Sequence, residues 1–246
     1  MNAPRLYADL APLWPLLSPR EDYAAEAAEI RGILELHLGP ATAQRPWRVM
    51  ELGAGAGQSL SLLGEYIDAL AVDVSAEMMQ LCRRMHPCLR TRVGDMRDVR
   101  VDDRFDAVLA YDAIDYLVDG AGVTATCATA AHHLVSGGLF LAAPTYVQET
   151  FVEGDVVEDA HADAKREVAY VAHVARPDTG AETYELQMTI LVREAGTLRV
   201  EFDRHRCGLF PTAQWERGLS DAGFEPLNLP APEGDRPASM FLGIKR

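Results

Sequence analysis

The chain has 246 residues, 48% hydrophobic and 24% charged, the proportions of an ordinary globular protein with a sizeable core. Twenty-three Lys and Arg against 37 Asp and Glu leave a formal net charge of -14, which argues against a nucleic-acid partner, because a phosphate backbone selects a basic surface. Cys82, Cys88, Cys127 and Cys207 make no CxxC or metal-ligand spacing, and neither a signal segment nor a membrane-length apolar run is visible. Reduced thiols in a cytoplasmic protein are expected, with no metal and no membrane association.

In chain order, LYADLAPLWPLLSPR (6–20) is too broken by proline for a long helix, yet its Leu, Tyr and Trp suit it to pack over something. Residues 21–38 have helical spacing at Ile30, Ile33, Leu34 and Leu38, ended by Gly39-Pro40. From Trp47 the rhythm is strand, helix, strand. RVMEL reads as a buried strand and GQSLSLLGEYI as a helix. ALAVDVS reads as a strand, then AEMMQLCRRMH as a helix capped by Ser75. LRTRVGD and RFDAVLAYD are strands, GVTATCATAAHHLV a helix ended at Gly137-Gly138, and LFLAAPT a fifth strand. Such alternation predicts a parallel sheet covered on both faces.

After Pro144 the period becomes two. EVAYVAHVA, ETYELQMTILVRE and TLRVEFDRHR read as an antiparallel meander with one covered face, formed by Tyr184, Leu186, Met188, Ile190 and Val192 and by Leu198, Val200 and Phe202. A helix capped by Thr212 and stopped by Gly223 follows, then two last strands near Phe224–Leu229 and Met240–Lys245.

The stretch VMELGAGAGQS, residues 49–59, has glycines at 53, 55 and 57 between a strand and a helix, where backbone N–H groups approach a ligand closely. It lacks the lysine of a phosphate-binding P-loop, and Gln58 stands where a dinucleotide loop needs glycine. A structural corner also accounts for glycines alone. Glu51 at the strand end would repel a pyrophosphate and suit an ammonium. Asp73 ends the next strand, where acids accept from a ribose diol. Asp95 follows the third strand and suits an adenine amino group, with Met96 against the ring. The set describes a nucleoside that carries an amino acid and no phosphate, which is S-adenosylmethionine.

Four ordered motifs, VMELGAGAG, LAVDVSAEMMQLCRR, VGDMRDV and FDAVLAYDAIDYL, resemble those of the class I S-adenosylmethionine-dependent methyltransferases. The resemblance implies a doubly wound, Rossmann-like α/β fold with a seven-stranded sheet whose last pair is a reversed hairpin, and an inserted antiparallel meander as a lid. It implies one domain: 1–45 as N-terminal cap and helix, 46–145 as cofactor-binding core, 146–210 as the insertion and 211–246 as C-terminal helix and hairpin. It further implies that Glu51, Gly53, Ala54, Gly55, Asp73, Val74, Met78, Asp95, Met96 and Tyr111 surround the cofactor. GDMRD, the meander and HRCGLFPTAQWERGLSDAGF are similar to small N,N-dimethyltransferases of nucleotide-linked amino sugars. In that group N-terminal tyrosines reach the cofactor, matching Tyr7 in LYADL and Tyr23 in EDY. The chain departs from the group in having Tyr116 where a histidine follows the fourth strand, and in a shorter N-terminus.

The acceptor belongs beyond the carboxyl ends of the strands. Asp112 reads either as an anionic site for a protonated amine or as a solvated loop acid, and Asp115 reads as a helix cap. Tyr116 either hydrogen-bonds the acceptor or packs. His205 reads as a surface histidine, or as a general base if its strand face lines the cleft. His132 and His133 read as structural, and Trp14 and Tyr146 as packing or pocket walls. The expected activity is methylation of a small-molecule amine, with an O-methyltransferase or a non-catalytic S-adenosylmethionine-binding regulator as alternatives. An exposed apolar meander face would suit a homodimer.

Overall fold

The computed structural model describes residues 4–176, 182–229 and 240–246. Its core is one seven-stranded sheet in the order β10-β11-β5-β4-β1-β2-β3. Strands β1 (Trp47–Leu52), β2 (Ile67–Asp73), β3 (Arg90–Val93), β4 (Phe105–Tyr111) and β5 (Leu134–Ala143) run parallel. β10 (Phe224–Leu229) and β11 (Met240–Lys245) pair antiparallel, and β11 is also antiparallel to β5.

Period-two burial splits each central strand between two cores. Met50, Leu52, Leu70, Val72, Val108, Ala110 and Phe140 pack on one side with Val123 and Cys127 of α5 (Gly120–His133) and Trp215 and Leu219 of α6 (Thr212–Asp221). Val49, Ala69, Ala71, Leu109 and Leu141 pack on the other with Ile30 and Leu34 of α2 (Ala24–Leu38), Leu60 and Leu63 of α3 (Gln58–Leu63), and Met79 and Cys82 of α4 (Ala76–Met85). Because both faces are covered, the strands are apolar nearly throughout.

The insertion is a second, four-stranded antiparallel sheet, β6 (Val156–Ala162), β7 (Arg166–Ala175), β8 (Thr183–Glu194) and β9 (Thr197–Gly208). Leu6, Leu10, Leu13, Leu16 and Leu17 of the N-terminal segment, which includes the short α1 (Trp14–Leu17), cover Val168, Ala172, Met188, Ile190 and Val192. The broken leucine-rich segment is therefore the apolar cover of the meander. Among the described residues no helix is long and apolar enough to cross a membrane.

Local departures have identifiable causes. The helix after the glycines stops at Leu63, gives way to a 3-10 turn over Gly64–Tyr66, and Ile67 already belongs to β2. The α5 helix ends at His133, not at Gly137-Gly138; β5 begins at once with Leu134, and the register against β4 shifts between Phe105 and Ala107, where the glycines absorb the irregularity. Thr212 is the first residue of its helix and does not cap with its side chain; the Glu149 carboxylate accepts from the Thr212 N–H instead. β6 lacks alternation in sequence because nearly all of it is exposed.

The largest departure is on β9. Leu198, Val200 and Phe202 are 55%, 47% and 66% exposed, whereas Asp203 and His205 turn inward. Pairing of Asp203 with Met188 and His205 with Leu186 places the polar set of β9 on the same face as the apolar set of β8. The alternation is legible in the sequence but its direction is reversed, because period two does not say which face is covered.

Candidate functional site

At the end of β1, Gly53, Gly55 and Gly57 all have positive φ, at 80°, 52° and 82°. The N–H groups of Gly53 and Ala54 donate to the carbonyl of Val72, at 2.8 and 2.9 Å, which binds the turn to β2. A Cβ on Gly53 would overlap that of Ala113 and stand 3.2 Å from Met96 Cε. Only glycine therefore lets the ends of β1, β3 and β4 meet here. At the tip of β2, Asp73 accepts from the N–H of Gly55 at 2.9 Å and of Ser75 at 2.8 Å, which holds its carboxylate beside the turn. Ser75 caps α4 by accepting from the N–H of Met78.

Beneath the turn lies Glu51, 5% exposed, with Oε2 buried and without a hydrogen-bond partner. Burial pushes its carboxyl well above the usual range, and Glu26, Asp73 and Asp112 push further in the same direction. Such a carboxylate asks for a cation with N–H donors. Glu26 on α2 accepts from Ser59 Oγ, and no sequence signal distinguishes it from the other glutamates of its helix. Tyr23 Oη lies 2.6 Å from Ser18 Oγ; burial, together with Asp112, Glu26 and Glu51, raises its pKa against the hydrogen bond. Gln58 donates to the Ser18 carbonyl at 3.0 Å, so the residue that replaces a dinucleotide-loop glycine ties α3 to the N-terminal segment.

Val74, at the tip of β2, is 69% exposed, and Met96 stands against the glycine turn. Asp95 engages both the N–H and the guanidinium of Arg97, which lowers its pKa. Met78 and Tyr111 are placed as supports rather than as surface. Met78 is fully buried among Ala11, Ala56 and Leu81, and Tyr111 turns its hydroxyl to Met240 Sδ in the core on the α2 side. The turn, Glu51, Asp73 and Val74 together fit an aminoacyl nucleoside: a buried acid for its ammonium, an acid for its diol and an apolar side chain for its ring.

Beyond β4 the chain turns sharply at Asp112, half-buried, with φ 45°. The 3-10 turn Ala113–Tyr116 follows. Tyr116 and His205 correct the sequence expectation of a surface histidine. His205 is 1% exposed, with Nδ1 2.6 Å from Tyr116 Oη and Nε2 3.0 Å from Asp203 Oδ2. Tyr116 Oη is also 2.8 Å from Tyr7 Oη, and Tyr7 packs on Trp14, Tyr116 and His205. Asp203 carries no signal in the sequence, since it sits on what reads as a solvated polar face.

Asp115 is not a helix cap. It is 5% exposed and accepts from the N–H of Thr145 at 3.0 Å and the hydroxyl of Tyr184 at 2.9 Å, joining the turn after β4 to the meander. Burial lifts its carboxyl from 3.8 to about 7, against those hydrogen bonds and with help from Asp112. Tyr146 is buried against Phe151 and Tyr184. His133 is structural, its Nδ1–H donating to the Thr129 carbonyl and its Nε2 accepting from the N–H of Val101. Elsewhere, Asp22, Asp159 and His161 bring ligand atoms within 4.8 Å of one another near the surface, with His161 Nε2 2.9 Å from Asp159 Oδ2.

Replacing Gly53 with Ala is expected to abolish binding of S-adenosylhomocysteine in isothermal titration while the far-UV circular dichroism is retained, because the methyl group displaces Ala113 and the backbone disfavours any side chain. Asp115 carries a raised folded-state pKa, so its contribution to stability is complete below about pH 4 and is lost as pH rises through about 7. Urea denaturation should therefore show wild-type stability falling across that window, with Asp115 contributing up to about 1.4 kcal/mol per pH unit, and Asp115→Asn should make the fall shallower by that share while the share of Glu51 stays.

A protein-family model described as a methyltransferase domain matches residues 49–138. The dTDP-3-amino-3,4,6-trideoxy-alpha-D-glucopyranose N,N-dimethyltransferase of Streptomyces venezuelae is 29% identical over 240 residues, covering 97% of both chains. The crystal structure of Streptomyces venezuelae DesVI superposes with a TM-score of 0.83 at 27% identity, over 98% of each chain. The fold is also shared with CalS10, an amino pentose methyltransferase from Micromonospora echinaspora solved with S-adenosylmethionine bound, at a TM-score of 0.77, 23% identity, and 91% and 92% coverage. With these matches joined to a glycine turn over a buried acid, the chain is an S-adenosylmethionine-dependent methyltransferase with the class I fold.

Proposed function

We propose that the protein N-methylates an amine borne by a small, sugar-like molecule, in two successive transfers. The observation that carries this reading is coverage: the resemblance to an amino-sugar N,N-dimethyltransferase extends over 97% of both chains, including the N-terminal cover and the meander that roof the site. A match to the cofactor core alone would say nothing of the acceptor.

Bound S-adenosylmethionine supplies an electrophilic methyl group on a cationic sulfur. In this reading Glu51 and Glu26 hold its ammonium, Asp73 its ribose, and Val74 and Met96 flank its ring. Tyr7 and Tyr23 close the cofactor in from the N-terminal segment. Asp112 and Tyr116 face the acceptor, Asp112 by attracting a protonated amine and Tyr116 by orienting its nitrogen. Catalysis then rests on positioning and exclusion of water, since the attacking lone pair needs alignment more than activation.

The thiols of Cys82, Cys88, Cys127 and Cys207 are free, which is the state that a reducing compartment maintains and which supports a cytoplasmic location. A second copy of the chain is the partner expected on the outer face of the meander. Leu198, Val200, Phe202, Leu191 and Val171 form an exposed apolar strip there. The ion pair Arg193–Glu167 lies beside it, and a self-complementary apolar strip of this kind suits a two-fold interface.

Incubation with S-adenosylmethionine and a panel of nucleotide-linked and free amino sugars, read by mass spectrometry, should give singly and then doubly methylated products. Methylation confined to hydroxyl acceptors would overturn the amine assignment. Cofactor binding without turnover on any acceptor would favour a regulator. In sedimentation velocity the wild-type protein should run as a dimer and Phe202→Arg as a monomer with its activity measured alongside.

A further inference from the structure

Asp203 is the least expected participant in the buried network. It lies on β9, an edge strand of the meander, and its side chain is 4% exposed. Its two oxygens serve two different parts of the molecule. Oδ2 faces His205 Nε2 at 3.0 Å and accepts from the N–H of Leu6 at 2.7 Å, and Oδ1 accepts from the N–H of Arg5 at 3.1 Å. Burial alone would raise its pKa, but these hydrogen bonds outweigh burial and bring it down to about 2. The group is therefore a carboxylate, able only to accept.

For a neutral imidazole, that fact sets the direction of the hydrogen bonds that follow. A carboxylate beside Nε2 requires the proton of neutral His205 to be on Nε2. Nδ1 is then a bare acceptor, so Tyr116 donates to it across 2.6 Å. The oxygen of Tyr116 in turn accepts from Tyr7, 2.8 Å away. The order Tyr7, Tyr116, His205, Asp203 thus runs one way, from the cofactor side of the N-terminal cap into the meander, and ends on a fixed negative charge.

We propose that Asp203 is a positioning residue that holds His205 in the tautomer able to take a proton from the acceptor through Tyr116, and that the same carboxylate seats the N-terminal turn that brings Tyr7 to the site. The proposal rests on the N-methylation reading above. An acceptor that arrives as an ammonium gives one proton to the Tyr116 oxygen while the Tyr116 hydroxyl proton passes to Nδ1. The acceptor nitrogen keeps its lone pair, the imidazole becomes an imidazolium, and Asp203 faces the new charge. When product leaves, the imidazolium returns its proton to solvent through the same hydroxyls. Because Asp203 also docks Arg5 and Leu6, the relay is complete only when the cap is closed.

Substituting Asp203 with Asn preserves shape but offers an amide donor to Nε2, which moves the imidazole proton to Nδ1 and reverses the chain. The same exchange behind a catalytic histidine is damaging through the wrong tautomer. Nitrogen-15 NMR of histidine-labelled protein, with His205 assigned by the spectrum of H205N, should show a bare Nδ1 in the wild type and a protonated Nδ1 in D203N. D203N should lose on the order of 100-fold in kcat with an amine acceptor, with the KM for S-adenosylmethionine within about twofold. Tyr116→Phe should keep the wild-type tautomer and lose a similar factor, and the double variant should lose little more, as expected of groups that act as a unit. A D203N protein with the wild-type tautomer, or with wild-type kcat at saturation and only a weaker Kd for S-adenosylhomocysteine, would reduce Asp203 to a clamp for the N-terminus and overturn the relay. Should the wild type methylate only hydroxyls, the amine reading falls while the relay is still tested by the same kcat ratio, because a hydroxyl must also lose a proton.

Discussion

A buried acid without a partner governs the arrangement of this protein. Glu51 sits at the end of β1 with one carboxylate oxygen removed from water and left unsatisfied, within the field of Glu26, Asp73 and Asp112. Placing a carboxyl there costs free energy, on the order of the 1–3 kcal/mol of an unmet buried hydrogen bond and more when it is ionised. A cation bound beside it would offset that cost. The three glycines let backbone crowd over the acid, and Gln58 and Ser59 tie the helix that follows to the N-terminal segment and α2. The cofactor site is thus an electrostatic feature first and a glycine motif second.

The roof depends on the meander as much as on the sheet. The N-terminal segment has no regular structure long enough to stand alone, and it acquires one by laying its leucines on β7 and β8. That packing brings Tyr7 against Tyr116 and His205, while Asp115 joins the turn after β4 to Tyr184 on β8. Two hydrogen-bonded links, Tyr116 to His205 and Asp115 to Tyr184, thereby join the cofactor core to the insertion. Tyr116, which follows β4, meets a histidine supplied from β9.

Much of this could be read in the chain before any coordinates. The strands of the core, the glycine turn, Ser75 as a cap and Asp73 at a strand tip all follow from local rules: apolar runs, helix caps and positive φ at glycine. The motifs then compounded, since acids at successive strand ends agree on one ligand. What local rules misjudged lay where two elements compete for the same residue. The glycines at 137 and 138 looked like a helix stop and instead lie in β5 where its pairing with β4 shifts. Asp115 looked like a cap because caps are the common use of an aspartate after a strand, and nothing within a few residues announces Thr145 and Tyr184 as its partners.

The sequence by itself determined the type of the core elements and the donor molecule, because these depend on residues within one turn or one strand of each other. Tertiary structure decided which face of β9 is covered, and with it the fate of Asp203, His205 and Phe202. Alternation with period two is symmetric between the faces, so the choice came from a segment almost 200 residues away. Arg5 and Leu6 offer N–H groups that the acid of β9 could accept and the apolar strip could not.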